Sequence, residues 1–354
     1  MDTTRWWTKA TTVLALGIVL TGVGFLDASP AAADGTGPTR YESVIDDVEP
    51  DLDQVEVSVV GGDAFLQVVA DDGTEVSIDG YDGEPYLRID ADGSVWENRR
   101  SPSVYLNATR DGGDGRFPQG VSSGAEPDWQ QVGDDGVVAW HDHRIHWMLD
   151  EEPTVGTDGV VQEWELPMDV DGTEVVVTGR LLLKGSVFPW AAAVAVVAAA
   201  GALVAGRGLR GRLVTLTVAS AAAIVVAVAA YTVNPPRSGA SVVPLVLTVV
   251  AAVCVAASWW AARSTGRSLV QLALPLAAVA ALLGWVVQRL GTFWMATVPS
   301  ELPGWLDRAL TGMVLGAAVG TAAAVLLRPW PEERLAGAAA QDSSTGSSPP
   351  SNQS

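Results

Sequence analysis

The 354-residue chain carries 41 Asp and Glu against 21 Lys and Arg, a formal net charge of −20. It is 48% hydrophobic, yet the apolar residues crowd into residues 187–330, which excludes a single soluble domain. So large an acidic excess also excludes nucleic acid as a partner.

The chain opens as an export signal. Arg5 and Lys9 give the positive end, "TTVLALGIVLTGVGFL" the apolar middle, and "ASPAAADG" an A-x-A site ending at Ala33. A signal peptide over 1–33 is expected, with an uncleaved first span as the alternative. In either case the residues after Ala33 are exported.

Residues 34–186 hold 34 acidic against 9 basic residues, a net of −25. Strand-like stretches recur there between turn signals: "QVEVSVV", "AFLQVVA", "TEVSI", "PYLRI", "VVQEWELPM" and "TEVVVTGRLLL". Short alternating runs with Asp-Gly turns predict an all-β, sandwich-like domain without amphipathic helices. "SPSVYLNATR" (Ser101–Arg110) is expected to be a strand leaving a turn, and 107–136 a long loop. Asn107-Ala-Thr109 fits a glycosylation sequon. "DADGSVWEN" and "DGGDGRF" gather oxygen ligands, but without the spacing of a calcium-binding EF-hand loop.

All three histidines fall in "AWHDHRIHWM": His141, His143 and His146, with Met148 two residues on. Neutral imidazole is the commonest metal ligand, and a thioether adds a preference for Cu(I). On an extended strand His141 and His143 would share one face, with His146 and Met148 on the other. One site using all four therefore needs a bulge or turn near Arg144. Asp142 suits the role of orienting an imidazole, whereas Arg144 disfavours a nearby cation. Three readings stay open: a transition-metal site, copper ahead of zinc; a structural cluster packed by Trp140 and Trp147; and a pH switch.

Five apolar segments follow, near 187–206, 213–233, 242–262, 269–288 and 309–327, making 187–330 a five-helix transmembrane domain. With 34–186 outside, the inner loops collect Arg207, Arg210, Arg212, Arg263, Arg267, Arg328 and Arg334. The outer loops keep only Arg237, Arg289 and Arg308. The spans hold almost nothing ionisable, and Gln271, Gln288 and Arg289 sit at predicted ends, which favours an anchor or scaffold over a transport path. Small residues in "AAAVAVVAAAGALVAG" and "GMVLGAAVGTAAA" suit close helix packing. The outer loop "GTFWMATVPSELPGWLDR" either rests among headgroups or turns Met295 toward the exported domain. Cys254, alone, rules out an intrachain disulfide. Residues 331–354 compose a disordered cytoplasmic tail.

"GYDGEPYLRI", "SPSVYLN" and "WHDHRIHWM", followed by five apolar spans, resemble a group of actinobacterial membrane proteins without an assigned activity. The resemblance covers most of residues 40–330. It implies an exported β-rich domain on a small helical membrane module, in the company of copper-handling proteins.

No H-E-x-x-H, G-x-S-x-G or glycine-rich phosphate loop is present, so no catalytic residues are singled out and an enzyme is not expected. The expectation is a multi-pass plasma-membrane protein, domain outside and C-terminus inside. Its exported domain would bind a transition metal, with copper as the expected ion, through His141, His143, His146 and Met148. It would then assist metal handling beside other membrane or exported proteins. The alternative is a metal-free, bilayer-anchored interaction module whose histidine–tryptophan cluster is structural or a docking surface.

Overall fold

The computed structural model describes residues 35–108, 110, 112, 116–149, 151–263 and 270–327. The expected signal peptide and cytoplasmic tail lie outside the described residues.

Ten strands build the N-terminal part: β1 (Tyr41–Glu49), β2 (Val55–Val60), β3 (Phe65–Ala70), β4 (Val76–Asp79), β5 (Pro85–Ile89), β6 (Val95–Asn98), β7 (Trp129–Gly133), β8 (Val137–Trp140), β9 (Val160–Val170) and β10 (Thr173–Leu183). They form a seven-stranded sheet, β1-β10-β9-β4-β5-β6-β7, and a three-stranded sheet, β2-β3-β8. Every pairing is antiparallel.

Period-two alternation explains which face is buried. In β9, Trp164, Leu166, Met168 and Val170 point inward while Glu163, Glu165 and Asp169 stay out. They meet Leu66, Val68 and Val138 of the smaller sheet in one apolar core. The β9–β10 hairpin turns on Asp171 and Gly172, both at positive φ (51° and 79°), as a two-residue turn matched to strand twist requires.

Two expectations fail here. Ser101–Arg110 is not a strand: Pro102–Leu106 forms a helical turn, α1. Ser101 caps it by accepting from Ser103 N, and Pro102 takes the first turn, where its missing N–H costs nothing. The long loop 107–136 is also interrupted, because Trp129–Gly133 pairs with β6.

Five helices follow: α2 (Trp190–Ala205), α3 (Leu209–Thr232), α4 (Val243–Ala261), α5 (Val270–Val287) and α6 (Gly304–Leu326). A 3-10 turn at Leu290–Phe293 precedes α6. The last four are long and apolar enough to cross a bilayer, which marks the chain as an integral membrane protein. The first expected span is shorter than predicted. With 16 residues, α2 extends only about 24 Å at 1.5 Å per residue, because Pro189 starts it and Gly206 ends it.

α2 lies flat along α6. A Cβ on Gly312, Gly316 or Gly320 would collide with the carbonyl oxygen of Ala191, Ala195 or Ala199 respectively. Glycines every fourth residue thus open a groove on α6 into which the α2 backbone settles, as small-residue stripes do in membranes. Valines such as Val196, Val225, Val249 and Val253 stay exposed on the helix surfaces, as a lipid-facing shell demands.

The spans are expected to hold almost nothing ionisable, and the charged groups the structure adds lie at one end of the bundle. α6 begins earlier than predicted and brings Asp307 into its first turn, fully buried. Arg289 Nη2 donates to Asp307 Oδ1 at 2.6 Å and stands over the Trp285 ring. Arg308 donates to the carbonyls of Thr292, Met295 and Ala296.

The β domain is strapped to this bundle. Thr39 and Thr297 exchange two backbone hydrogen bonds, each 3.0 Å. Ser186 bridges Met295, and Val187 N donates to Trp294 O at 2.8 Å. On another side, the α3–α4 connection sends Arg237 to both oxygens of Asp135 (2.9 and 3.1 Å) and to Val137 O. Thr36 N and its hydroxyl both donate to Asn234 Oδ1.

Candidate functional site

β8 delivers the histidine stretch and then ends. Trp140 is its last residue, and Asp142–Ile145 form a turn closed by Ile145 N donating to Asp142 O at 3.1 Å. The turn expected near Arg144 is present, so strand alternation does not set the directions of the three rings.

Asp142 is the hub. Its carboxylate is fully buried and accepts from Trp140 Nε1 (2.8 Å), Arg144 N (2.9 Å), Arg144 Nε (2.8 Å) and Arg144 Nη2 (2.6 Å). Burial works against its charge, but the Arg144 fork and the indole N–H prevail and hold the carboxyl below its usual range. Arg144 is therefore the internal counter-ion of Asp142, stacked over the Tyr81 ring at 5.0 Å.

Tyr81 joins this hub to the two other quoted motifs. Its hydroxyl donates to Asn107 Oδ1 at 2.5 Å and accepts from His143 N at 2.8 Å. Asn107 Nδ2 then donates to the Tyr86 hydroxyl at 3.2 Å, and Tyr86 meets Trp140 edge-on. Burial raises the pKa of both tyrosines, so each stays a neutral hydroxyl. Asn107 is 7% exposed and committed on both sides of its amide, which removes it as a glycan acceptor. Next to it, Glu84 accepts from Ser101 Oγ (2.6 Å) and Ser103 Oγ (2.7 Å). Burial opposes its charge, and those hydroxyls hold its pKa below the usual value. Gly80 is required there, because a Cβ would run into the Glu84 carboxylate and the Ser103 hydroxyl.

The four expected metal ligands divide. His141 is 5% exposed, stacked on Phe65 at 4.1 Å, with Nδ1 2.7 Å from Ala64 O. His146 is 2% exposed, with Nδ1 3.1 Å from Asp142 O and Nε2 2.5 Å from Arg110 O. Burial, then Arg110, push its pKa down, so the ring is neutral near pH 7 and donates to one of the two carbonyls. His143 is half-buried, stacked on Tyr81 at 6.1 Å and edge-on to His146 at 5.3 Å. Met148 is 40% exposed. Among the described residues, no group of three or more His, Cys, Asp or Glu side chains is arranged to hold a metal ion.

Arg110 is tied in turn to Asp63, a fully buried carboxylate, at 2.6 Å. Met295 does reach the β domain, but through its backbone. Its sulfur lies beside Gly291, where a Cβ would stand 3.0 Å from it.

Sequence reasoning missed Tyr81, Glu84 and Asn107 as parts of this cluster. The signal was indirect: three separate motifs, each dense in hydrogen-bonding side chains, had no stated reason to coexist. Comparison with protein families, with curated proteins and with solved structures returns no match.

Proposed function

We propose that the chain anchors an exported β domain at the membrane as a metal-free interaction module, with the histidine–tryptophan turn acting as the knot that fixes its shape. The observation that carries this reading is His146: both ring nitrogens face backbone carbonyls, so the neutral ring's one lone pair is turned toward a carbonyl oxygen and away from an incoming cation. The reading includes no catalytic step. It places the domain outside the cell and the C-terminus inside, supported by Arg207, Arg210 and Arg263 in the α2–α3 and α4–α5 connections. The outer arginines, Arg237, Arg289 and Arg308, are each held by protein acceptors.

A second reading keeps copper. A Cβ on Gly112 would stand 3.0 Å from His143 Cε1 and 3.4 Å from Met148 Cε, so an imidazole and a thioether share one corner. That pair suits Cu(I), and the module would then serve metal handling alongside other exported or membrane proteins.

Titration of the purified full-length chain with Cu(I), Cu(II) and Zn(II), after chelation, separates the two. The first reading expects only weak, non-saturating uptake by the acidic surface, and a lowered melting temperature for His146→Ala. One-to-one binding that disappears in a His143→Ala, Met148→Ala double variant would replace it with the second.

A further inference from the structure

The face of β6 departs from the clean alternation of β9. Fully buried Val95 is followed two residues on by Glu97, and Arg99, just past the strand's end, lines the same space. The two side chains form an ion pair and keep 41% (Arg99) and 21% (Glu97) exposure, so the question is what space they face.

That space is a cavity of about 530 Å³ between the two sheets. Leu87, Val95 and Val138 supply apolar wall, and Phe65, Tyr86 and Trp140 supply aromatic surface. Glu97 and Arg99 line the same space, as does Pro236–Ser238 of the α3–α4 connection. Arg237 pins that connection in place through Asp135 and Val137, at a positive φ of 63° that a non-glycine residue seldom adopts. The roof of the cavity therefore belongs to the membrane module and its walls to the exported domain. A volume of this size matches small-molecule sites, which pair apolar walls with a few polar groups.

Glu97 and Arg99 are also under-used. Arg99 Nε stands 3.2 Å from Glu97 Oε1, yet it is buried without a well-directed hydrogen bond. Among the described residues the Glu97 carboxylate accepts no directed hydrogen bond, and burial pushes its pKa up against the pull of Arg99. The acid and base pair with each other, and together they still present a second carboxylate oxygen and further guanidinium N–H groups of opposite charge to the cavity. A zwitterion fills both at once, its ammonium on Glu97 and its carboxylate on Arg99. A lone anion would have to enter a strongly acidic domain and face Glu97. A lone cation would face the Arg99 guanidinium, a like charge.

We propose that this cavity is a binding site for a small amphipathic zwitterion, an α-amino acid with an apolar or aromatic side chain, held by Glu97 and Arg99 beneath the Pro236–Ser238 roof. The site stands on the cavity and this pair, whichever way the metal question falls.

Isothermal titration of the full-length chain in detergent tests it, with L-phenylalanine, phenethylamine and 3-phenylpropanoate as matched zwitterion, cation and anion. Saturable binding of phenylalanine is expected, with each single-charge probe at least tenfold weaker. Glu97→Gln and Arg99→Gln should each weaken phenylalanine about tenfold or more, as charge-assisted hydrogen bonds require. Both side chains are partly exposed, so these variants should keep the wild-type melting transition, which is recorded alongside. Three results overturn the proposal: no saturable phenylalanine binding, equal binding of either single-charge probe, or unchanged affinity in both folded variants.

Discussion

Replacing Asp142 with Asn tests whether the histidine turn is a structural knot. The substitution keeps the side chain's shape but removes the charge opposite Arg144, whose own side chain is only 18% exposed. It also exchanges one acceptor oxygen for an NH₂ facing donors from Trp140 or Arg144. Breaking a buried ion pair from one side costs about 3–5 kcal/mol. Since Asn retains one acceptor, the lower end applies, about 3 kcal/mol. For a domain of this size each kcal/mol moves the melting temperature by about 2–4 °C, so a fall of about 6–12 °C is expected. Thermal unfolding of the full chain in detergent, followed by near-ultraviolet circular dichroism, reads it directly. The gap should also depend on pH. The folded pKa of Asp142 lies below its ordinary 3.8, so its contribution is complete above that value and fades as pH falls through the folded value. Wild type and variant should therefore begin to converge only below about pH 3.8 and meet once pH has fallen past the folded value. A shift under about 2 °C at pH 7, or a gap that stays constant into acid, would refute the reasoning.

The glycine groove gives a prediction in the membrane half. Gly316→Leu drives a branched side chain against the α2 backbone and should cost about 1–3 kcal/mol or more, read as loss of α2–α6 cross-linking between engineered cysteines in a Cys254→Ala background. Unchanged cross-linking would mean the two helices do not pack as described. For sidedness, Thr157→Cys in an exposed loop of the β domain, again without Cys254, should react with a membrane-impermeant maleimide in intact cells. Labelling only after lysis would invert the orientation.

Where sequence and structure agree, the signal was local. Strands β2 to β5, β9 and β10 show alternation bounded by Asp-Gly turns, and both follow from residues near in sequence. Helices α3 to α6 needed only apolar length. The small-residue runs predicted close packing, and the partner of Gly316 turned out to be Ala195. The misses were of another kind. β7 is half-exposed and polar, with Gln130 and Gln131 at its centre, so hydropathy could not reveal it. The α1 turn hid behind β-favouring Val104 and Tyr105, although Ser101-Pro102 announced a helix start. The polar knot was least legible. It joins Tyr81 to Asn107 and Asp142 across sequence separations of 26 and 61 residues, and no spacing rule reaches that far. Arg144 was visible as an obstacle to a cation, but only its fork onto Asp142 explains what the arginine does instead.

Thr39 and Ser186 are the residues by which the chain enters and leaves the β domain, and both pair with the single short segment Met295–Thr297. A domain hung from one tether can swivel about it. One whose entrance and exit are stitched to the same ledge has a fixed heading relative to the helices. The ledge joins α5 to α6 and is gripped from below by Arg308. A tilt of either helix would therefore be felt at once by β1 and β10, neighbours at one border of the large sheet. The soluble half turns with the bundle, like a compass card fixed to its needle.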